Sequence, residues 1–362
     1  MQVPPVREAG ESSGDDSDRC GYPGTVPTPP RSALPPLDFR GVRLHVVTGK
    51  GGTGKTTIAG ALALALAAGG RKVLLVEVEG RQGIAQLFDT PPLPYGEHRI
   101  ATAPGGGAVH ALAIDPEAAM LEYLEMFYNI KRGGTVLKKV GAVDFATTVA
   151  PGLRDVLLTG KAGEAVRRKE GGRFVYDNVV LDSPPTGRVA RFLTANNEVS
   201  DLARVGPIRN QADMVMRVIR SSQTAVHLVT LLEEMPVQET TEGIEELVRF
   251  ALPVGAVIVN MARPALAGQD QGVDLATVPD AEFARALEAA DLEWVAQDGA
   301  TMTALRQEFE DHRIRVDMEA RELAKLMALD RPVLALPWVP DGVDPGVLYE
   351  FAEELNEQGV AR

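Results

Sequence analysis

The tightest constraint on this chain lies in "HVVTGKGGTGKTTIAGALAL", residues 45–64. A β-prone run ending at Thr48 gives way to Gly49, Lys50, Gly51, Gly52, Thr53, Gly54 and Lys55. Thr56, Thr57 and an alanine- and leucine-rich helical pattern follow. Gly49, four residues, then Gly54-Lys55-Thr56 is the spacing of a loop that grips a polyphosphate. Glycines are needed because only a backbone without Cβ can wrap the phosphates and aim several N–H groups at them. The helix N-terminus adds its partial positive charge. Lys55 is then placed to neutralise the β and γ phosphates, and the Thr56 hydroxyl to bind Mg²⁺.

One lysine suffices for that task, so Lys50 calls for its own explanation. Its side chain could reach its own nucleotide or one held by a facing subunit. Positive charge supplied in trans can contribute about 10³–10⁵ in rate. A second motif, "NVVLDSPPTGRVARFL" (178–193), ends an apolar strand in Asp182 and turns at Pro184-Pro185-Thr186-Gly187. An aspartate at the end of a neighbouring strand can hold the Mg²⁺ of the triphosphate. The turn after it is expected to sense the γ-phosphate and pass the change to a helix beginning near Val189.

Apolar β-rich runs recur at 43–48, 72–79, 109–115, 177–182, 225–231, 255–260 and 332–337. Helical patterns lie between them, for instance at 56–68, 236–250, 281–297 and 301–327. This alternation predicts an α/β fold, a doubly wound, mostly parallel sheet. Residues 116–169 and 190–222 interrupt it with extra helices, read as a helical layer at one edge of the sheet. Met120, Met126, Met214 and Met216 in these insertions could line an apolar groove or simply pack between helices. Residues 263–280 are Gly/Pro/Asp-rich and read as a loop. Residues 1–37 hold too few large apolar groups to offset ordering entropy and are expected to be a disordered tail. The folded region then runs over 38–362.

Composition narrows the function classes. A formal net charge of −13 and the lack of a long basic stripe argue against nucleic-acid binding. The densest basic cluster, Arg167-Arg168-Lys169, reads as a solvated helix end. The single cysteine, Cys20, allows no disulfide within the chain and no thiolate metal cage. With no secretion signal apparent and no apolar run long enough to span a membrane, a reducing cytoplasm is the expected compartment. The histidines at 45, 98, 110, 227 and 312 lack metal-ligand spacing, and His45 and His227 read as satisfied core residues.

The Lys50-Gly51-Gly52-Thr53-Gly54-Lys55-Thr56-Thr57 loop resembles the variant phosphate loop shared by partition and division-site ATPases, nitrogenase iron protein and the ArsA-like ATPases. "DSPPTGRVARFL" is similar to the Asp-Thr-Ala-Pro-Thr-Gly-His-Thr-Leu-Arg block of the ArsA and tail-anchored-protein-targeting branch. "HLVTLLEEMPVQETTEGIEEL" (227–247), "GAVIVNMARP" (255–264) and "LPWVPDGVDPGVLYEF" (336–351) resemble that branch in the same order, and the chain most resembles its actinobacterial anion-transporting ATPase subunits. The resemblance implies a dimeric, Mg²⁺- and ATP-dependent ATPase that switches between open and closed dimers. It makes Lys50 the intermonomer lysine, Lys55 and Thr56 the phosphate and Mg²⁺ ligands, and Asp182 the switch aspartate. Asn260 becomes the adenine-reading asparagine, and Pro337 part of the loop packed on the base. It implies either a homodimer or a heterodimer with a paralogous ATPase, and a membrane-protein client or membrane partner. A partition or division-site role fits less well, because the Pro184-Pro185-Thr186-Gly187 and 227–247 blocks point to the other branch and no C-terminal basic amphipathic helix is evident.

Two departures qualify what the resemblance implies. Where the family has Asp-Pro-Ala-His, whose aspartate orients the attacking water, this chain has Glu79-Gly80-Arg81-Gln82. Glutamate can accept the same proton, yet its extra methylene shifts the carboxylate by about an ångström, and misplacement on that scale can cost about 10²-fold. Two alternatives stay open: an ATPase that hydrolyses slowly, or a weakly hydrolysing regulatory subunit serving a paralogue. The chain also lacks the cysteines that bind metalloid in arsenite-pump members and zinc in the targeting members. Arsenite transport and tail-anchored insertion are therefore implied by kinship alone.

Overall fold

A computed structural model of the chain describes residues 38–115, 118–119, 151–202, 207–264 and 277–360. The strands in chain order are β1 (Leu44–Gly49), β2 (Lys72–Glu77), β3 (His98–Thr102), β4 (Ala108–Ala113), β5 (Lys169–Glu170), β6 (Arg173–Phe174), β7 (Asn178–Asp182), β8 (Thr224–Thr230), β9 (Val254–Ala262) and β10 (Val333–Pro337). Eight of them form one sheet in the order β10-β9-β8-β1-β7-β2-β4-β3. Every pairing in it is parallel except β3 against β4, which closes one edge. The central strands β1, β7 and β8 are buried at every position. That is why they read as unbroken apolar runs: helices cover both faces of the sheet.

Alternate residues feed two cores. Leu44 and Val46 of β1 join the core under one face, and Val47 joins the core under the other. On the second face lie α1 (Lys55–Ala67), the short α2 (Gly83–Leu87) and the C-terminal α10 (Pro345–Glu357). Helix α1 is buried from Ile58 to Ala67, all the way round, because the sheet lies on one side and α10 on the other. The first face is covered by α3 (Pro151–Arg167), α4 (Thr186–Leu202), α5 (Pro207–Ile219) and α6 (Glu234–Arg249). The described parts of these insertions therefore cover a face rather than an edge: α3 packs on β7, α4 packs on β1, and α5 lies against α3 and α4.

Between β9 and β10 the chain builds an arm from α7 (Asp280–Ala289), α8 (Glu293–Gln297) and α9 (Gly299–Met327). The expected single helix over 281–297 is broken, with Asp291 in the left-handed region at φ 60°. Phe283, Leu287 and Val295 form a small core of their own there. Helix α9 buries only Glu319, Leu323 and Leu326 over its 29 residues, all in its last third.

Other differences from the sequence pattern have local causes. Gly171 and Gly172 take positive φ (56° and 82°), so "KEGGRF" closes the tight β5–β6 hairpin. Helix α4 starts at Thr186 rather than near Val189, because Pro185 carbonyl already accepts from the Val189 N–H at 3.1 Å. The Arg167-Arg168-Lys169 cluster is not a solvated helix end. Arg168 bridges Glu164 and Glu97, and Arg167 donates to the Gly163 carbonyl and to Met214 Sδ. Met216 is a core residue, whereas Met120, Met126, the 1–37 tail and most of the 263–280 loop lie outside the described residues.

His45 on β1 and His227 on β8 are fully buried and stacked, with Nδ1 of His45 3.1 Å from Nε2 of His227. The Ala256 N–H donates to His227 Nδ1, so His227 carries its proton on Nε2 and donates it to His45. Burial pulls the His227 pKa down to about 3; burial and then its neighbour pull His45 well below the ordinary range. Both are neutral core residues, as their strand positions suggested.

Candidate functional site

The carboxyl ends of β1, β7 and β2 meet at the turn between β1 and α1, the place where an open α/β sheet offers a crevice. Asp182 is the partner in register of Val47 on one side and of Glu77 on the other. Ser183 is tied to β1 by its N–H and hydroxyl, which both donate to the Val47 carbonyl at 3.0 and 2.7 Å. Thr48 returns a bond, hydroxyl to Pro184 carbonyl, at 2.8 Å. The turn after Asp182 is thus held against the strand that leads into the glycine loop.

Within the loop three donors converge on the Lys50 carbonyl: the Thr53 N–H at 3.3 Å, its hydroxyl at 2.9 Å and Lys55 Nζ at 3.5 Å. Gly52 and Gly54 sit in the left-handed region (φ 89° and 85°). A Cβ on Gly54 would lie 2.3 Å from Asn260 Nδ2. Over Gly51 and Gly52 the space is open to 4 Å. Gly54, as N-cap of α1, has no side chain to cap the first amides, which leaves them for an anion. Among the described residues Lys55 makes no salt bridge. A concave, donor-rich and uncapped loop is chemically suited to a polyphosphate.

The Thr56 hydroxyl donates to Asp182 Oδ2 at 2.6 Å. Burial raises the Asp182 pKa to about 6; the Thr56 hydrogen bond and Lys55 act in the opposite direction, and the charges of Glu77 and Glu79 add to the rise. A hydroxyl and a carboxylate side by side are hard oxygen donors of the kind Mg²⁺ takes.

Glu77 belongs to the site although no motif in the sequence marks it. It is 3% exposed and accepts long bonds from the N–H groups of Gly83 (3.4 Å) and Ile84 (3.3 Å), fixing the start of α2. The signal was available: an acid inside "KVLLVE", on the strand that pairs with Asp182. Glu79 stands on the loop two residues further on, partly exposed, with Arg81 Nε 3.7 Å away. Its charge still reaches Asp182.

Lys50 Nζ is 2.8 Å from Glu239 Oε1 of α6, on the same chain. Glu239, Glu242 and Glu246 also line a hollow of about 320 Å³ beside Thr186 and Gly187. On the other side of the loop, Thr57, Asn260, Met261, Pro337, Trp338 and Val343 line a cavity of about 340 Å³. Asn260 Nδ2 donates to the Thr53 carbonyl at 3.0 Å and so ties this cavity to the loop. Sequence had pointed to Asn260 and Pro337. Trp338 adjoins Pro337 in the loop so indicated, whereas Met261 and Val343 had not been indicated and reach the cavity only through packing.

The sequence profile of the anion-transporting ATPases matches residues 42–221. The chain is 57% identical over 329 residues to ATPase BagA of Mycobacterium tuberculosis, covering 90% of this chain and 96% of that protein. It is 25% identical over 256 residues to ATPase GET3 of Kluyveromyces lactis, covering 59% of this chain and 70% of the relative. Against the arsenical pump-driving ATPase of Escherichia coli it is 26% identical over 232 residues, 60% of this chain and 39% of the relative. Among the described residues no helix is long and apolar enough to cross a membrane.

Proposed function

Because the chain belongs to the anion-transporting ATPase family, and is an ATPase, we propose that its triphosphate lies in the Gly49–Thr57 loop with its base in the Asn260–Pro337 cavity. The Thr56–Asp182 contact carries this proposal: two groups 126 positions apart in sequence meet at 2.6 Å at the mouth of an uncapped glycine loop. The amides of Gly51, Gly52, Thr53 and Gly54 bind phosphate oxygens, and Lys55 neutralises the β and γ phosphates. Thr56 and Asp182 are the residues that would hold Mg²⁺, which supplies charge neutralisation between the phosphates when bound. Thr57 and Pro337 pack beside the nucleoside, and Asn260 keeps the base pocket attached to the loop.

Glu79 is the residue placed to orient the attacking water, and Glu77 holds the loop that carries it by binding the Gly83 and Ile84 amides. Lys50 acts across a dimer on the neighbour's nucleotide, and the change from Lys50 paired with Glu239 to Lys50 on phosphate separates open from closed dimers. The dimer is a homodimer or pairs this chain with a paralogous ATPase. Residues 38–362 act as one ATPase domain with helical insertions at about 116–169 and 190–222, working in the cytoplasm on a membrane-protein client or membrane partner and not on nucleic acid.

Steady-state ATPase activity of the unaltered chain, Lys55→Ala and Asp182→Ala tests the catalytic assignment. Loss of about 10²-fold or more in both variants is expected; equal turnover in all three sinks it. One observation favours a second reading, a weakly hydrolysing subunit that serves a paralogue. Glu79 pairs with Arg81 and acts on Asp182 through its charge, while Asp182 takes its hydrogen bond from Thr56. Brisk turnover by the purified chain alone removes that alternative.

A further inference from the structure

The cavity beside the glycine loop is bounded by a tryptophan whose placement depends on a helix of the arm. Trp338 follows β10 directly, is 40% exposed and lines the cavity. Its backbone N–H donates to the Ala262 carbonyl at 2.9 Å, and the Arg263 guanidinium carbon lies 5.7 Å from its ring centroid. Arg263 is itself clamped. Its Nη1 donates to Glu319 Oε1 at 2.6 Å, and its backbone N–H donates to Glu319 Oε2 at 2.9 Å.

Glu319 is 5% exposed and one of the few buried residues of α9. A carboxylate leaves water at so little cost only where charged and main-chain donors meet it, and both of its oxygens are met here. The neighbouring backbone is strained in the same place. Met261 is a bulky residue held in the left-handed region (φ 56°), and the β9–β10 register shifts between Ala335 and Pro337. Such strain persists where surrounding contacts over-determine it, and it gathers at ligand sites.

With the base in this pocket, Trp338 beside Pro337 packs on it; we propose that Glu319, acting through Arg263, is the positioning residue that fixes the Trp338 ring there. The proposal rests on assigning this pocket to the base. An exposed ring that can swing pays an ordering cost when a ligand arrives, whereas a ring already held by a clamped guanidinium does not. The base affinity is therefore tied to how α9 sits.

Trp294 and Trp338 are the only tryptophans of the chain, so full-length protein carrying Trp294→Phe reports on Trp338 alone. Its emission is followed during titration with ADP, and with inorganic tripolyphosphate as a probe that has no base. ADP is expected to change the emission. Glu319→Gln, Glu319→Met and Arg263→Met are each expected to weaken ADP binding by about 5- to 10-fold. Tripolyphosphate affinity stays unchanged in all of them, and Glu319→Met with Arg263→Met together lose no more than either alone.

ADP affinity unchanged in the Glu319 variants, or weakened in step with tripolyphosphate, overturns the positioning role. Asn260→Ala separates the two levels. If ADP binding depends on Asn260 but not on Glu319, only the positioning role falls. If ADP binds tightly yet neither alters Trp338 emission nor depends on Asn260, the base lies elsewhere and both fall.

Discussion

Lys50 Nζ lies 2.8 Å from Glu239 Oε1, so the lysine assigned to a neighbour's nucleotide is held by an acid of its own chain. Both side chains are 36% exposed, and an ion pair of that exposure contributes about 0–1 kcal/mol. Such a pair is a latch that phosphate can outcompete. Glu239→Gln is expected to favour ATP-dependent dimerisation by up to about 5-fold, and Lys50→Ala to abolish it. Sedimentation velocity with and without ATP measures both, and identical profiles for all three proteins would refute the latch.

Asp182 buries a carboxylate beside two other acids, at a cost to the fold. Its folded pKa, about 6, lies above the free value of 3.8. The sign follows: the penalty is absent below pH 3.8, grows between there and pH 6, and is complete above it, where it amounts to about 3 kcal/mol. Asp182→Asn keeps an acceptor for the Thr56 hydroxyl and removes the charge. The variant is expected to be inactive and yet about 1–3 kcal/mol more stable at pH 7.5 than the unaltered chain. Urea denaturation without nucleotide checks it, and the gain should vanish near pH 4.

The histidine pair between β1 and β8 gives the opposite pH response. The folded His227 pKa of about 3 lies below the ordinary 6.5, so its contribution is full above pH 6.5 and is lost progressively as pH falls toward 3. Between pH 6.5 and 5 that loss is about 2 kcal/mol for His227 alone. Denaturation curves of the unaltered chain and of His227→Gln, compared across this range, should converge as the pH falls. A gap that stays constant would mean the imidazole is not kept neutral.

Gly54 is constrained by both space and backbone conformation. Alanine there meets Asn260 Nδ2 at 2.3 Å and must also adopt φ 85°. Gly54→Ala is expected to break the bond from Asn260 to the Thr53 carbonyl and to weaken ATP binding at least about 10-fold, while Gly51→Ala, with open space around it, has a smaller effect on folding. Calorimetric titration with ATP and thermal melts of both variants separate the two effects.

Much of this protein was legible before any coordinates. The alternation of apolar runs with helical patterns specified a doubly wound sheet, because strands buried on both faces must be apolar throughout and must be joined by helices. The spacing of Gly49, Gly54, Lys55 and Thr56 marked a loop suited to phosphate, since backbone geometry and charge act there within eight consecutive residues. Asp182 was legible as a strand-end acid.

What only the tertiary structure decided are the contacts made between distant segments. Glu77 becomes a neighbour of Asp182 through strand register, Glu239 takes Lys50 because α6 packs beside the loop, and Glu319 reaches Trp338 through Arg263. The β5–β6 hairpin and the early start of α4 were likewise set by local turns that a hydrophobic pattern does not encode. Periodicity reports which side of an element is apolar. It carries no information on which polar group from another element will meet a given side chain, because that depends on register, helix placement and the strain each site can bear.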